Sequence, residues 1–183
     1  MVYLTWFLCL FPSALMEIVG RVLAPVLPFF VGSDGYLPKW LWWFQTPDNP
    51  CDGDEGHWAR HPGTDPWSTY TRRVAWFWRN VAYGFNINAI GFKHKDGDLK
   101  IVQGDPTVGD RSGVSGKCKW FIKRDGERVA FQYYYVKHYQ IFGRWRCVRI
   151  GAGYKIWGQP SGQVFGQHWV YFNPFKGSGR ENT

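Results

Sequence analysis

Residues 119–136 read KWFIKRDGERVAFQYYYV, two runs rich in aromatic and β-branched side chains on either side of Asp125-Gly126. An Asp-Gly pair between strand-like runs is the strongest short-range hairpin signal, because both residues tolerate the left-handed backbone of a two-residue turn. Working outward, HKDGDLKIV (94–102) carries a second Asp-Gly, at Asp96-Gly97. GRWRCVRIGAGYKIW (143–157) and GQVFGQHWVYFNPF (162–175) supply further strands, interrupted by Gly143, Gly151, Gly153, Gly158 and Gly162. Between the two hairpins, GDPTVGDRSGVSGK (104–117) reads as a long polar loop. Residues 85–183 are therefore expected to form five to seven antiparallel strands in a curled sheet or small open barrel.

Ahead of that body the periodicity is helical. In TDPWSTYTRRVAWFWRNVAYGF (64–85), Asp65 is placed to cap a helix, Pro66 fits its first position and Gly84 suits its end. Trp67, Tyr70, Val74, Phe77, Trp78 and Val81 recur every three or four residues, which predicts one aromatic stripe with Arg72, Arg73 and Arg79 off it. Such a stripe either packs on the β body or lies in a membrane surface. The chain is thus read as α+β: apolar N-terminal helical segments, one amphipathic helix, then a mainly antiparallel sheet. Its organisation is a hydrophobic segment with an aromatic collar (1–44), an acidic loop with the amphipathic helix (45–84) and a basic β domain (85–183).

The first sixteen residues, MVYLTWFLCLFPSALM, carry no charged side chain, and from Ile18 to Val31 only Arg21 interrupts the apolar run. A hydrocarbon core needs roughly 20 helical residues at ~1.5 Å each, so the run is long enough to cross one. Pro12, Pro25 and Pro28 disrupt helices, which sets a broken or re-entrant hairpin beside a straight crossing. Glu17 and Arg21 lie four apart and neutralise each other on a helix. A core helix buried in a soluble protein also fits the composition. A cleaved leader fits less well, since no Lys or Arg precedes the run. In YLPKWLWWF (36–44), Tyr36, Trp40, Trp42 and Trp43 have the composition of an interfacial belt, with Lys39 able to snorkel. QTPDNPCDGDEG (45–56) then reads as the exit turn into water. Basic residues gather on the C-terminal side of the apolar run, so the positive-inside tendency puts the C-terminal body in the cytoplasm.

The net charge is +8, and residues 111–183 hold thirteen basic against three acidic side chains. A field of that sign favours anionic partners, either a lipid leaflet or a phosphate backbone. Arg144, Arg146, Arg149 and Lys155 are the candidate anion-binding residues, expected on adjacent strands with one sheet face basic and the other buried. Trp145, Tyr154 and Trp157 would then stack on bases. An ordinary solvated strand face is the plainer reading. Cys9, Cys51, Cys118 and Cys147 form no CxxC pair and read as reduced core thiols. A calcium loop starting at Asp48 fails, with Pro50 third and Ala59 twelfth. Cys51, His57 and His61 match no common zinc spacing. Asp96 and Asp98 are explained by their turn. No catalytic residue, metal or cofactor is assigned.

Three stretches taken together, WWFQTPDNPCDGDEG (42–56), WFWRNVAYGF (76–85) and CVRIGAGYKIW (147–157), resemble a family of uncharacterised proteins of tailed bacteriophages and prophages. The shared patterns are FQTPDN, WRNxAYGF and RIGxGYKI after an apolar N-terminus. Val81 stands where that pattern has proline, and GAGYK is looser than its turn. The resemblance carries no activity and no catalytic residues. It implies a bacterial host and an accessory or particle-associated role. The expectation is a non-enzymatic protein of the host inner membrane whose basic domain faces the cytoplasm and whose partners are lipid and a host or phage protein. A virion or assembly component with a buried N-terminus is the alternative, and a nucleic-acid-binding β module the third reading.

Overall fold

The computed structural model describes residues 1–158 and 164–180, with the Trp157 side chain outside that description. Two units make up the chain. One comprises Met1–Phe7, Phe92–Trp157 and the residues from Val164 on, and the other is built on Leu8–Gly91.

The first unit is a five-stranded antiparallel meander. Strands β1 (Leu99–Gly104), β2 (Gly116–Arg124), β3 (Glu127–Ile141), β4 (Arg144–Gly158) and β5 (Val164–Gly177) lie side by side in chain order, and the sheet is open. Asp125 and Gly126 turn β2 into β3 with φ of 50° and 81°, and Arg124 faces Glu127. A second two-residue turn, at Phe142 and Gly143 (φ 47° and 71°), joins β3 to β4. Asp96-Gly97 is a turn but not a hairpin. Asp98 closes it by accepting from the Lys95 amide at 2.9 Å, and the chain before it is bridged elsewhere, Phe92 to Gly166. Glycine at 166 is what admits that bridge, since a Cβ there would run into the Phe92 carbonyl. Between Ile122 and Lys123 the pairing slips by one residue: Lys123 faces Arg128 but Ile122 faces Ala130, leaving Val129 as a bulge. Gly151, in the middle of β4, lies under the Trp169 ring, where no larger residue fits.

In the second unit, α1 (Val2–Leu23, whose first turns belong to the sheet unit) runs without a break through Pro12, about 33 Å long at the usual rise. The other prolines expected to break it lie beyond its end: Pro25 follows it, and Pro28 opens a short 3-10 helix, Leu27–Phe30. A second 3-10 helix, Lys39–Phe44, precedes α2 (Glu55–Arg60), α3 (Pro66–Arg79) and α4 (Tyr83–Asn88). Leu27, Leu37, Leu41, Phe44, Cys51 and Phe77 form the core, with Met16, Val19 and Leu23 of α1 packed on it. Gly20 brings α1 close, because a Cβ there would sit 2.8 Å from Val81 and 3.2 Å from Phe44.

Asp65 caps α3 as expected, accepting from the Trp67 and Ser68 amides at 3.0 Å. The helix ends earlier than Gly84, at Arg79, where the Asn80 side chain bonds the Trp76 carbonyl. Gly84 instead sits inside α4, where a Cβ would collide with the Trp42 carbonyl, so it serves close helix approach and not termination. The buried positions of α3 are Arg72, Trp76 and Phe77, while Trp67 and Trp78 are exposed. The expected stripe is thus rotated, because a buried guanidinium occupies part of the inward face.

Phe142 is 96% exposed in a left-handed conformation that costs a bulky residue on the order of 1 kcal/mol. Phe142→Asn is expected to raise the thermal unfolding midpoint by a few degrees with an unchanged far-UV circular dichroism spectrum.

Candidate functional site

Along α1, Leu8, Phe11, Leu15, Ile18 and Val22 recur at helical spacing and all are exposed. Only 6% of the apolar window of this helix is buried, so its own chain does not bury it as a core helix. The opposite stripe is engaged: the Ser13 hydroxyl donates to Asn86 Oδ1 at 2.9 Å, and Met16 and Val19 face the core. Glu17 and Arg21 pair at 3.3 Å.

The predicted collar is gathered on the second 3-10 helix. Its three-residue period sends Leu41 and Phe44 inward and leaves Lys39, Trp40, Trp42 and Trp43 at the surface, with Tyr36 just before them. Trp40 is 68% exposed, its ring edge-on to Phe30 at 5.6 Å. Trp43 packs on Phe85, and Trp42 donates its indole N–H to the Leu37 carbonyl at 3.0 Å. A further exposed aromatic group escapes sequence reasoning. Phe29 lies 5.5 Å from Tyr70, which stacks on Trp67. Its signal is Trp67 in the first turn of α3, where a side chain usually projects beyond the core.

The acidic stretch after the collar is not a solvated exit turn, since Cys51 and Gly53 are buried. Asp52 accepts from Arg73 at 3.0 and 2.8 Å and from Arg72 at 3.1 Å. Arg72 is 2% exposed; it also donates to the Gly63 carbonyl at 2.7 Å and lies 3.5 Å over the Trp58 ring. Taking a guanidinium out of water costs several kcal/mol, and these partners of its two terminal nitrogens offset part of that, while the buried Nε has none. Burial works against ionising Asp52, but hydrogen bonds and charge from Arg73 and then Arg72 outweigh it and hold the carboxyl below its ordinary range. Asp54 caps α2 through the His57 amide at 2.7 Å. Burial pushes His57 down despite the Arg72 carbonyl 2.9 Å from its Nε2, and pushes the Cys51 thiol up to about 12. Among the described residues no group of three His, Cys, Asp or Glu is arranged to hold a metal.

Directly opposed residues of neighbouring strands share a face. On one face Tyr134 lies between Cys118 and Gly151, and His138 opposite Cys147. The 105–115 loop closes over this side: Asp110 accepts from Tyr134 at 3.3 Å and from Arg149 at 3.4 Å, and His138 Nε2 meets the Gly109 carbonyl at 3.1 Å. A cleft of about 210 Å³ remains beside it, with Cys118, Trp120 and Gln132 in its wall. Burial raises the Cys118 pKa, which makes the thiol a poor nucleophile. The other face pairs Lys119 with Tyr133, Lys117 with Tyr135, Tyr139 with Arg146 and Ile141 with Arg144.

The four predicted cations therefore do not form one patch. All stand on β4, not on adjacent strands. Arg144 and Arg146 share the open face. Arg149 points to the covered face, paired with Asp110 and 4.5 Å over the Tyr171 ring, and Lys155 is half-buried. Of the predicted stacking residues, Tyr154 is buried and Trp145 lies under Arg180 at 4.8 Å; the Trp157 side chain lies outside the described residues. Sequence reasoning also misses Lys117, Lys119, Lys137, Tyr133 and Tyr135, whose signal is the alternation of basic and aromatic residues along β2 and β3.

Residues 1–180 match the sequence model of a family of unknown function, DUF7338. No curated protein and no solved structure matches the chain.

Asp52→Asn is expected to cost about 3 kcal/mol at neutral pH, lowering the midpoint of the helical unit by roughly 10 °C, because it strands two guanidinium groups. The depressed Asp52 pKa contributes stability above the unfolded value of 3.8, lost as pH falls through the lower folded value. Depressed His57 removes stability earlier, as pH drops below 6.5 and only the unfolded chain takes up the proton. Melting curves across pH should therefore show a shallow loss below about 6.5 and a second loss below about 4, smaller in the variant, where Asp98, held down to about 2 by Arg124, still contributes.

Proposed function

For this chain, which belongs to the family DUF7338, we propose a non-catalytic accessory role at a membrane, with the helical unit seated on lipid and the sheet unit binding a partner in the cytoplasm. The observation that carries it is the uncovered apolar stripe of α1, Leu8 to Val22. A large apolar side chain returns about 1.5–3 kcal/mol on leaving water completely. Five such groups on one stripe outweigh the small contribution of the exposed Glu17–Arg21 pair. The exposed Trp40, Phe29 and Phe30 that follow α1 suit the headgroup layer, and Lys39 suits its anionic surface.

The helix is long enough to cross a bilayer, yet its second stripe is already packed on a body that holds the paired charges of Asp52, Arg72 and Arg73. Dragging those charges into hydrocarbon is expensive, so α1 lies in the plane of one leaflet. The resemblance to phage and prophage proteins supports a phage-encoded origin and the host inner membrane as the site. The net charge of +8 supports a cytoplasmic position, where the inner leaflet is anionic.

Flotation of the full chain with bacterial-lipid vesicles tests this reading. Wild type is expected in the vesicle fraction, and Leu15→Glu with Ile18→Glu, both at exposed positions, is expected to shift it to the soluble fraction with the fold intact. Wild type that stays soluble without detergent as a discrete oligomer overturns the reading in favour of a particle or assembly subunit, in which a second copy covers α1.

A further inference from the structure

The open face of the sheet carries an unbalanced charge. Among the described residues of all five strands the one carboxylate is Glu127, opposite Arg124 beside the turn. Lys117, Lys119 and Lys137 are exposed on the open face, and Arg144 and Arg146 continue the row on β4. With no acid beside them on the strands, their fields add.

Aromatic rings lie between these cations. Tyr133 and Tyr135 are half-buried. Lys119 stands opposite Tyr133 with its ammonium 5.6 Å from the ring centre, and Lys117 stands opposite Tyr135. On the other side Tyr133 faces Ala152, too small to cap the ring. Same-face residues along a strand are about 7 Å apart, so the tyrosines and their lysines form two successive ring-plus-cation steps. Tyr139, the next ring on this face, is engaged structurally, its hydroxyl donating to the Pro174 carbonyl at 2.6 Å.

We infer that this face, Lys117, Lys119, Lys137, Arg144 and Arg146 around Tyr133 and Tyr135, binds a single-stranded nucleic acid. It names the partner left open in the function proposed above, and rests on that reading only for the idea that the sheet is the binding unit. Backbone phosphates meet the cations, and unpaired bases stack on the tyrosines. A duplex is disfavoured because its bases are sealed within the stack and a broad sheet face does not enter a groove. The apolar groups a leaflet would take, Ile141 and Phe142, lie at one end of the face, whereas Tyr133 and Tyr135 stand opposite lysines in its middle.

The test is fluorescence anisotropy of the full chain with a labelled oligothymidine of about 20 nucleotides, across salt concentrations. Binding is expected to weaken steeply with salt and to exceed binding to a duplex of equal length. Lys119→Glu with Lys137→Glu should lower affinity at least tenfold and flatten the salt dependence by about 0.7 for each phosphate left without its cation. Tyr133→Leu keeps the packing but removes the stacking ring, and should lower affinity roughly tenfold at an unchanged salt slope. Thermal midpoints near wild type establish that these variants fold. No binding at low salt, equal affinity for the duplex, or an unaffected Tyr133→Leu overturns the inference. So does lysine-dependent binding to phosphatidylserine vesicles without oligonucleotide binding. Flotation on uncharged phosphatidylcholine vesicles, run on the same preparation, reports the α1 reading separately, so either can fail while the other stands.

Discussion

An antiparallel sheet assigns its side chains to two faces by register, and here the register of β2 against β3 turns on a single unpaired residue. Counted straight out from the Asp125-Gly126 turn, Lys119 would face Gln132. The bulge at Val129 shifts the pairing so that Lys119 faces Tyr133 and Trp120 faces Gln132. Because side chains alternate with period two, that slip gathers the lysines with the tyrosines on one side. It also places Trp120, Ile122 and Ala130 together in the buried cluster, with the Trp120 indole donating to Gln132 at 2.6 Å. The hydrophobic requirement of the covered side and the charge of the open side are therefore satisfied by the same local irregularity.

The helical unit is organised by a different device. Arg72 sits where a leucine would be expected, and its planar head is met by a carboxylate, a carbonyl and an indole face. From the polar stretch that follows the tryptophan-rich segment, Asp52 and the Gly63 carbonyl build that socket. So polar a stretch adjoins so apolar a one because the acid is needed inside, beside α3, while the tryptophans stay outside.

Much of this architecture is legible in the residues alone. Asp65 and Pro66 announce the start of α3, Asp125-Gly126 announces the central hairpin, and the period-two runs announce an antiparallel sheet after a helical N-terminal part. What escapes has physical causes. The Phe142-Gly143 turn lacks the Asn or Asp that marks such turns. Arg72 reads as a solvent-facing residue because local periodicity knows nothing of Asp52, twenty positions earlier. Gly84 reads as a helix end when its purpose is close approach to Trp42. Grouping Arg149 with Arg144 and Arg146 ignores parity along one strand: odd and even positions of β4 face opposite ways, and Asp110 claims the odd one. The tryptophans of the expected collar are exposed on a short 3-10 helix whose period the sequence does not reveal.

The sheet unit is also discontinuous in the chain, and that has a practical side. Trp6 donates its indole N–H to the Gly153 carbonyl at 3.0 Å, its own carbonyl lies 3.1 Å from His168 Nε2, and its ring meets Phe131. During synthesis Trp6 leaves the ribosome long before its partners Gly153 and His168, which lie 147 and 162 positions further on. A fragment begun at Phe92 would expose a groove in place of an indole, so the β module is not separable by simple truncation, and crystallisation or binding work needs the intact N-terminus.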